Sequence, residues 1–354
     1  MNTKRLLPQT FIILSCLLSL CSFPVQGQLR DTQKEYNVDS TLYSYYLRCK
    51  AEMRSPIVMQ MADTLFHMAD KKKDQRMQAV ALSTKVDYYY YQNGQTDSIS
   101  HYVDIVKEFA KQTSQPKYYY FAWSKRLINH YIKQYQYNTA LYEANKMMKE
   151  AEQEKYMEGI ASAYNVLTSI YQFKHLFNLA IENKRKEIEI ILQYDLDKYN
   201  ISTAYSVLAY LYSESGETDK TLECLQESAA YLYSSTHEFH HYTRFAQYYT
   251  NIGDFPQAWK YLEKARELSE TKKEVQKNLQ EYYEVLKKYY VNIKQYEKAL
   301  KAQDHITTLS GRNTEQNIEA ALNRASIYYK MGNMSQAAQY YNEYYILNDS
   351  VQKR

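Results

Sequence analysis

Seven tyrosines, each nine residues ahead of a small or modest residue that opens a helix-like segment, set the frame for this 354-residue chain. The residues they precede are Ile99, Ala140, Ala180, Thr221, Ala258, Ala299 and Ala337, at intervals of 41, 40, 41, 37, 41 and 38. The tyrosines are Tyr90, Tyr131, Tyr171, Tyr212, Tyr249, Tyr290 and Tyr328. Thirteen residues ahead stands a large apolar residue in six units (Val86, Leu127, Leu167, Leu208, Phe245, Leu286) and Arg324 in the seventh. Glycine stands five ahead in four units, at Gly94, Gly216, Gly253 and Gly332. A period of this length means a unit that recurs in space, since each copy can bury its apolar stripe only against the next.

The stretch 236–269 displays one unit. Tyr242, Phe245, Ala246 and Tyr249 recur at i, i+3, i+4, i+7, and Ala258, Leu262 and Ala265 do the same after a break. Gly253 can end the first helix in a left-handed conformation, Asp254 can cap the second, and Pro256 fits its first turn, where no amide donor is needed. Small Ala246 faces small Ala258, so the two backbones can approach closely. The expected unit is an antiparallel pair, with first helices lining the concave side.

Over roughly residues 76–347 this pattern resembles the tetratricopeptide repeat (TPR) family of stacked helix-turn-helix units. The period departs from that family's 34 residues, and longer helices or links are the expected reason. The resemblance implies an all-α, right-handed superhelical solenoid of about eight hairpins, or sixteen helices. Seven regular units would fill 75–348, with 349–354 as a tail. An atypical capping pair would occupy 39–74, broken at Ser55-Pro56 with Ser55 as the cap, and Lys71 to Asp74 would form a charged link. Gly and Pro number only 7 and 5, as long helices with short links require.

The start of the chain is different. Lys4-Arg5 form a basic n-region and Phe11 to Phe23 an apolar h-region, the pattern of a secretory signal peptide over 1–27, cut after Gly27. A polar linker, 28–38, follows. The alternatives are an uncleaved anchor and a lipoprotein modified at Cys21. Cleavage implies an exported, periplasmic protein. It takes the formal charge from +4 to +2, too little for a nucleic-acid partner. It also leaves Cys49 and Cys224, several units apart and expected as buried free thiols. Leader, repeat style and ending together resemble the exported N-terminal repeat region of Bacteroidetes membrane-linked regulators, of the sensor histidine kinase or helix-turn-helix type. That resemblance implies a sensory, interacting role, with a free periplasmic scaffold or assembly factor as the alternative.

Two features could carry chemistry. His237-Glu238-Phe239-His240-His241 matches the H-E-x-x-H pattern of zinc proteases, in which His237 and His241 bind metal beside a water held by Glu238. A third ligand would have to come from Glu263 or Glu267, which read as exposed face residues, so no metal, cofactor or catalytic residue is assigned. Tyrosine clusters such as Tyr88 to Tyr91 and Tyr118 to Tyr120 lack the basic stripe that nucleic acid needs.

The stronger candidate is a groove for a protein or peptide ligand. On each first helix, residues fifteen, eleven and eight or seven before the anchor point off the packing stripe. They are Lys125, Asn129 and Lys133; Asn165, Ser169 and Phe173; Ser206, Tyr210 and Glu214; Thr243, Gln247 and Asn251; Glu284, Lys288 and Asn292. Asparagine recurs, and its amide offers donor and acceptor together, suited to an extended backbone. The family resemblance implies that work for asparagines on this helix.

Overall fold

The structure, a computed structural model, describes residues 37–92, 96–196, 200–310 and 314–352. The expected leader, most of the linker, Gly94 and the last two residues of the tail lie outside them. Among the described residues the chain is an all-α repeat solenoid of sixteen helices without strands. They pair as α1 (Ser40–Ala51) with α2 (Ile57–Lys71), α3 (Gln75–Tyr91) with α4 (Thr96–Thr113), and α5 (116–133) with α6 (Tyr137–Glu154). Then come α7 (Met157–Phe173) with α8 (Phe177–Gln193), α9 (Ile201–Glu214) with α10 (Thr218–Ala229), and α11 (Ser235–Ile252) with α12 (Phe255–Thr271). The last pairs are α13 (Leu279–Asn292) with α14 (Tyr296–Ser310), and α15 (Thr314–Lys330) with α16 (Met334–Gln352). Elements in substantial contact belong to the same or to successive hairpins.

The repeat spacing has a backbone cause. In all six units described across the turn, the residue five before the anchor has φ near +50 to +80°. It is glycine at Gly216, Gly253 and Gly332, but Tyr135, His175 and Lys294 in the other three. The next amide donates back to the carbonyl of the recurring tyrosine, as in Asp254 N–H to Tyr249 O at 2.9 Å and Leu176 N–H to Tyr171 O at 2.9 Å. This is the left-handed helix ending that satisfies carbonyls the helix leaves open. The recurring tyrosine is therefore the residue whose carbonyl closes each first helix, and its ring is buried or half-buried in every unit. A second left-handed link joins successive hairpins at Lys73, Ser114, Lys155 and Asp195, spaced 41, 41 and 40.

Helix length explains the long period. Between Ala140 and Ala180 lie most of an 18-residue α6, a two-residue link, a 17-residue α7 and a three-residue link. The short interval of 37 coincides with α10, which has only 12 residues. At the unit read first from sequence, Gly253 ends α11 at φ 81°, the Asp254 carboxylate accepts from Gln257 N–H at 3.1 Å, and Pro256 sits in the first turn of α12. In the first pair the expectation fails. Pro56, not Ser55, holds the cap position of α2, and no side chain caps that helix. The Ser55 carbonyl instead accepts from Val58 N–H in a turn.

The seven anchors are all buried, as are Val86, Leu127, Leu167, Leu208 and Phe245 thirteen residues earlier. Ala246 and Ala258 have no exposed surface and share a cluster with Leu262 and Ala265. Gly159 on α7 allows another close approach, since a Cβ there would lie 2.9 Å from the Tyr156 ring and 3.0 Å from the Tyr120 ring. Cys49 and Cys224 are buried and free. Two core positions carry charge. Where α6 has Ala144 and Met147, and α12 has Leu262 and Ala265, α8 has Lys184 and Glu187, each 3% exposed and ion-paired to the other. No helix among the described residues is long and apolar enough to cross a membrane.

Candidate functional site

Two cavities lie along the odd-numbered helices. The first, of about 1230 Å³, is walled by α1, α3, α5 and α7 and by Glu187 and Ile191 of α8. Its aromatic sides include Tyr46, Tyr91, Tyr118 and Phe121. Arg126 of α5 is ion-paired with Asp87 of α3, and its guanidinium lies over the Tyr90, Tyr91 and Phe121 rings at 5.0–5.5 Å. Burial works against that charge, but the Asp87 carboxylate outweighs it and holds the Arg126 pKa above the usual value. Beside it stands Lys125, half-buried in the same wall. Burial pushes the Lys125 pKa down; Glu187 opposes the shift, and Lys184 and Arg126 add to it. The turn that carries both residues, Trp123–Ile128, is π-helical, a local widening of α5.

The second cavity, of about 860 Å³, is walled by α9, α11, α13 and α15. Arg244 and His240 of α11 both reach Glu281 of α13, at 2.5 Å and 3.0 Å. Burial alone would raise the Glu281 pKa; the His240 hydrogen bond and the Arg244 charge bring it below the ordinary value. Arg244 also lies over the Tyr210 ring at 5.4 Å, so one cation ties three successive odd helices together. Lys287 pairs with Glu284 at 2.5 Å, while Lys288 and Lys330 are exposed at the rim.

Seven of the fifteen residues expected in the groove line these cavities; Glu214, exposed on α9, is among those that do not. Lys125 and Asn165 face the first; Tyr210, Gln247, Glu284, Lys288 and Asn292 face the second. The others lie elsewhere. Thr243 is fully buried and donates to the Phe239 carbonyl at 2.8 Å, so it cannot meet a ligand. In α11 its neighbour Arg244 lines the cavity instead. Asn129 and Ser169 donate back to the Lys125 and Asn165 carbonyls, at 3.3 and 3.2 Å. Asn251 donates to Ser213 Oγ at 3.3 Å, and Ser206 is half-buried outside both cavities. Lys133 is exposed above the Tyr90 ring, and Phe173, 55% exposed, stacks on Tyr137 at a hairpin tip. Residues that the reading missed, Ser162, His240 and Glu281, all stand eighteen before an anchor. Extending the same stripe one turn toward the helix start would have found them.

The H-E-x-x-H residues are helical in α11 but bound to separate partners. His237 Nδ1 lies 2.7 Å from Ser234 Oγ, and Glu238 accepts from Tyr242 Oη–H at 2.7 Å. His241, 5% exposed, places Nδ1 3.0 Å from Ser228 Oγ. Glu263 is tied to Arg266 at 2.7 Å. Among the described residues no group of three or more His, Cys, Asp or Glu side chains is arranged to hold a metal.

Burial, with a small contribution from Lys264, holds the His241 pKa down to about 4 from 6.5. A histidine kept neutral by folding stabilises fully above its unfolded pKa, and that contribution is lost as pH falls from about 6.5 to about 4. The loss should reach roughly 3 kcal/mol. Urea midpoints at pH 7.5 and 4.5 are expected to differ less in His241→Asn than in the wild type; equal differences would contradict a neutral, buried imidazole.

No known family profile matches the chain, and no curated protein resembles it in sequence. Solved structures do resemble it in fold. A Rap protein complexed with competence and sporulation factor aligns with a TM-score of 0.57 at 9% identity, over 97% of this chain and 92% of that one. A signal transduction ATPase with numerous domains and a tetratricopeptide repeat sensor, from Pyrococcus horikoshii, aligns with a TM-score of 0.56 at 16% identity, over 96% and 53%. The Cut9–Hcn1 hetero-tetramer of the APC/C aligns with a TM-score of 0.56 at 13% identity, over 88% and 53%. The chain thus spans about half the length of the last two. These neighbours place the fold among TPR-like solenoids.

Proposed function

We propose that this chain is a non-catalytic scaffold that binds an extended segment of a protein or peptide along its odd helices. The observation that carries this reading is the pair of cavities set in succession on that face, both lined by amide and charged side chains, the first with aromatic sides and the second with Tyr210 and aliphatic residues. Such surfaces supply apolar contact and backbone hydrogen bonds together. The structurally similar Rap protein was solved in complex with a named factor, which agrees with a solenoid of this kind holding a ligand. The test is fluorescence anisotropy with an array of mixed-sequence 12-residue peptides. Asn165→Ala with Gln247→Ala, one change per cavity, is expected to weaken the best binders about tenfold. Helicity and melting should stay close to wild type, since neither residue is in the core. Failure of every peptide to bind would end the reading.

We propose further that the protein is exported and serves as the sensory part of a membrane-linked regulator. The Lys4-Arg5 and Phe11 to Phe23 pattern supports export. N-terminal sequencing of the mature protein is expected to begin at Gln28; a chain that keeps Met1 and fractionates with the cytoplasm would refute it.

A further inference from the structure

We propose that the first cavity takes an acidic side chain, aspartate or glutamate, of a polypeptide crossing it, with its carboxylate on Lys125. The inference rests on the polypeptide-binding reading and specifies what that site selects.

Two of the carboxylates that line the cavity are already paired with other cations. Asp87 is paired with Arg126, and Glu187 with Lys184, the latter pair buried. Among the described residues, no hydrogen bond or ion pair reaches the Lys125 ammonium. A half-buried cation that has shed part of its water, and whose opposing carboxylate Glu187 is already paired with Lys184, favours an incoming anion. The exposed Lys288 and Lys330 of the second cavity keep their water and make no such demand.

Two further observations point into the same space. Ser83, in the wall of the first cavity, has a buried Oγ with no hydrogen-bond partner, which an occupant satisfies only if the side chain turns toward it. Asn165, on the next odd helix, adds a donor to the lining of the same cavity. The position of Lys125 favours a side chain over a chain end. It lies on α5, with α1 and α3 walling the cavity on one side and α7 and α8 on the other, so a bound strand has room to continue both ways.

The experiment uses N-acetylated, C-amidated 12-residue peptides of mixed flanking sequence with Glu, Gln or Lys at one central position, titrated by anisotropy. In the wild type the Glu peptides are expected to bind about tenfold tighter than their Gln counterparts. Lys125→Met should bring that ratio to about one, and Lys125→Arg should largely keep it. Lys125→Gln serves as a second neutral variant, read only if its melting curve matches wild type. If the wild type does not separate Glu from Gln, or Lys125→Met keeps the preference, the inference falls and the polypeptide-binding reading stands. If only peptides with a free C-terminal carboxylate gain from Lys125, the cavity takes chain ends and the inference also falls. If no peptide binds, the broader reading falls and carries this one with it.

Discussion

Glu187→Ala is expected to cost roughly 3–5 kcal/mol of stability, more than most single changes in the chain. The reason lies in what it leaves behind. Lys184 and Glu187 are each 3% exposed and one helical turn apart on α8, at positions that α6 and α12 fill with alanine, leucine or methionine. Removing the carboxylate strands an ammonium in the interior. The pair itself is not the source of the stability, because desolvating two charges offsets most of their attraction. Replacing both residues by leucine should therefore recover most of the loss. Chemical denaturation of the two variants checks both halves. A Glu187→Ala midpoint within about 0.5 kcal/mol of wild type would show that water reaches the pair.

The second large effect is expected from Ala246→Trp, by overpacking instead of a stranded charge. Ala246 on α11 and Ala258 on α12 have no exposed surface and lie in one cluster with Phe239, Leu262 and Tyr282. An indole there must push α11 from α12 or displace neighbouring rings, at about 1–3 kcal/mol or more. Thermal melting decides it; a variant that melts with the wild type would mean that the two helices do not approach at Ala246.

Much of the fold was legible because the repeat is tied to backbone geometry. The tyrosine nine before each anchor closes its helix through its own carbonyl, and the left-handed residue four positions later is glycine in three of the six described units. The other three were not legible, since Tyr135, His175 and Lys294 carry no residue-type signal for a positive φ. The site was legible only in part. Lys125, Asn165 and Gln247 fall where the stripe predicted, but Thr243, at the same offset as Lys125 and Asn165, is fully buried and its neighbour Arg244 lines the cavity in its place. The Lys184–Glu187 pair escaped notice because charged residues on a helix read as a solvated face, and only the packing of α8 among its neighbours reveals otherwise.

Because the substantial contacts among the described residues run within a hairpin or between successive ones, the order in which the chain is made matters. At about 5–20 residues per second, a ribosome delivers each new unit within roughly 2–8 s of the last. Every apolar stripe therefore waits for one more unit and no longer before it is covered. Nascent chains can settle from the front end while the rest is still being translated, with little sticky surface showing at any moment.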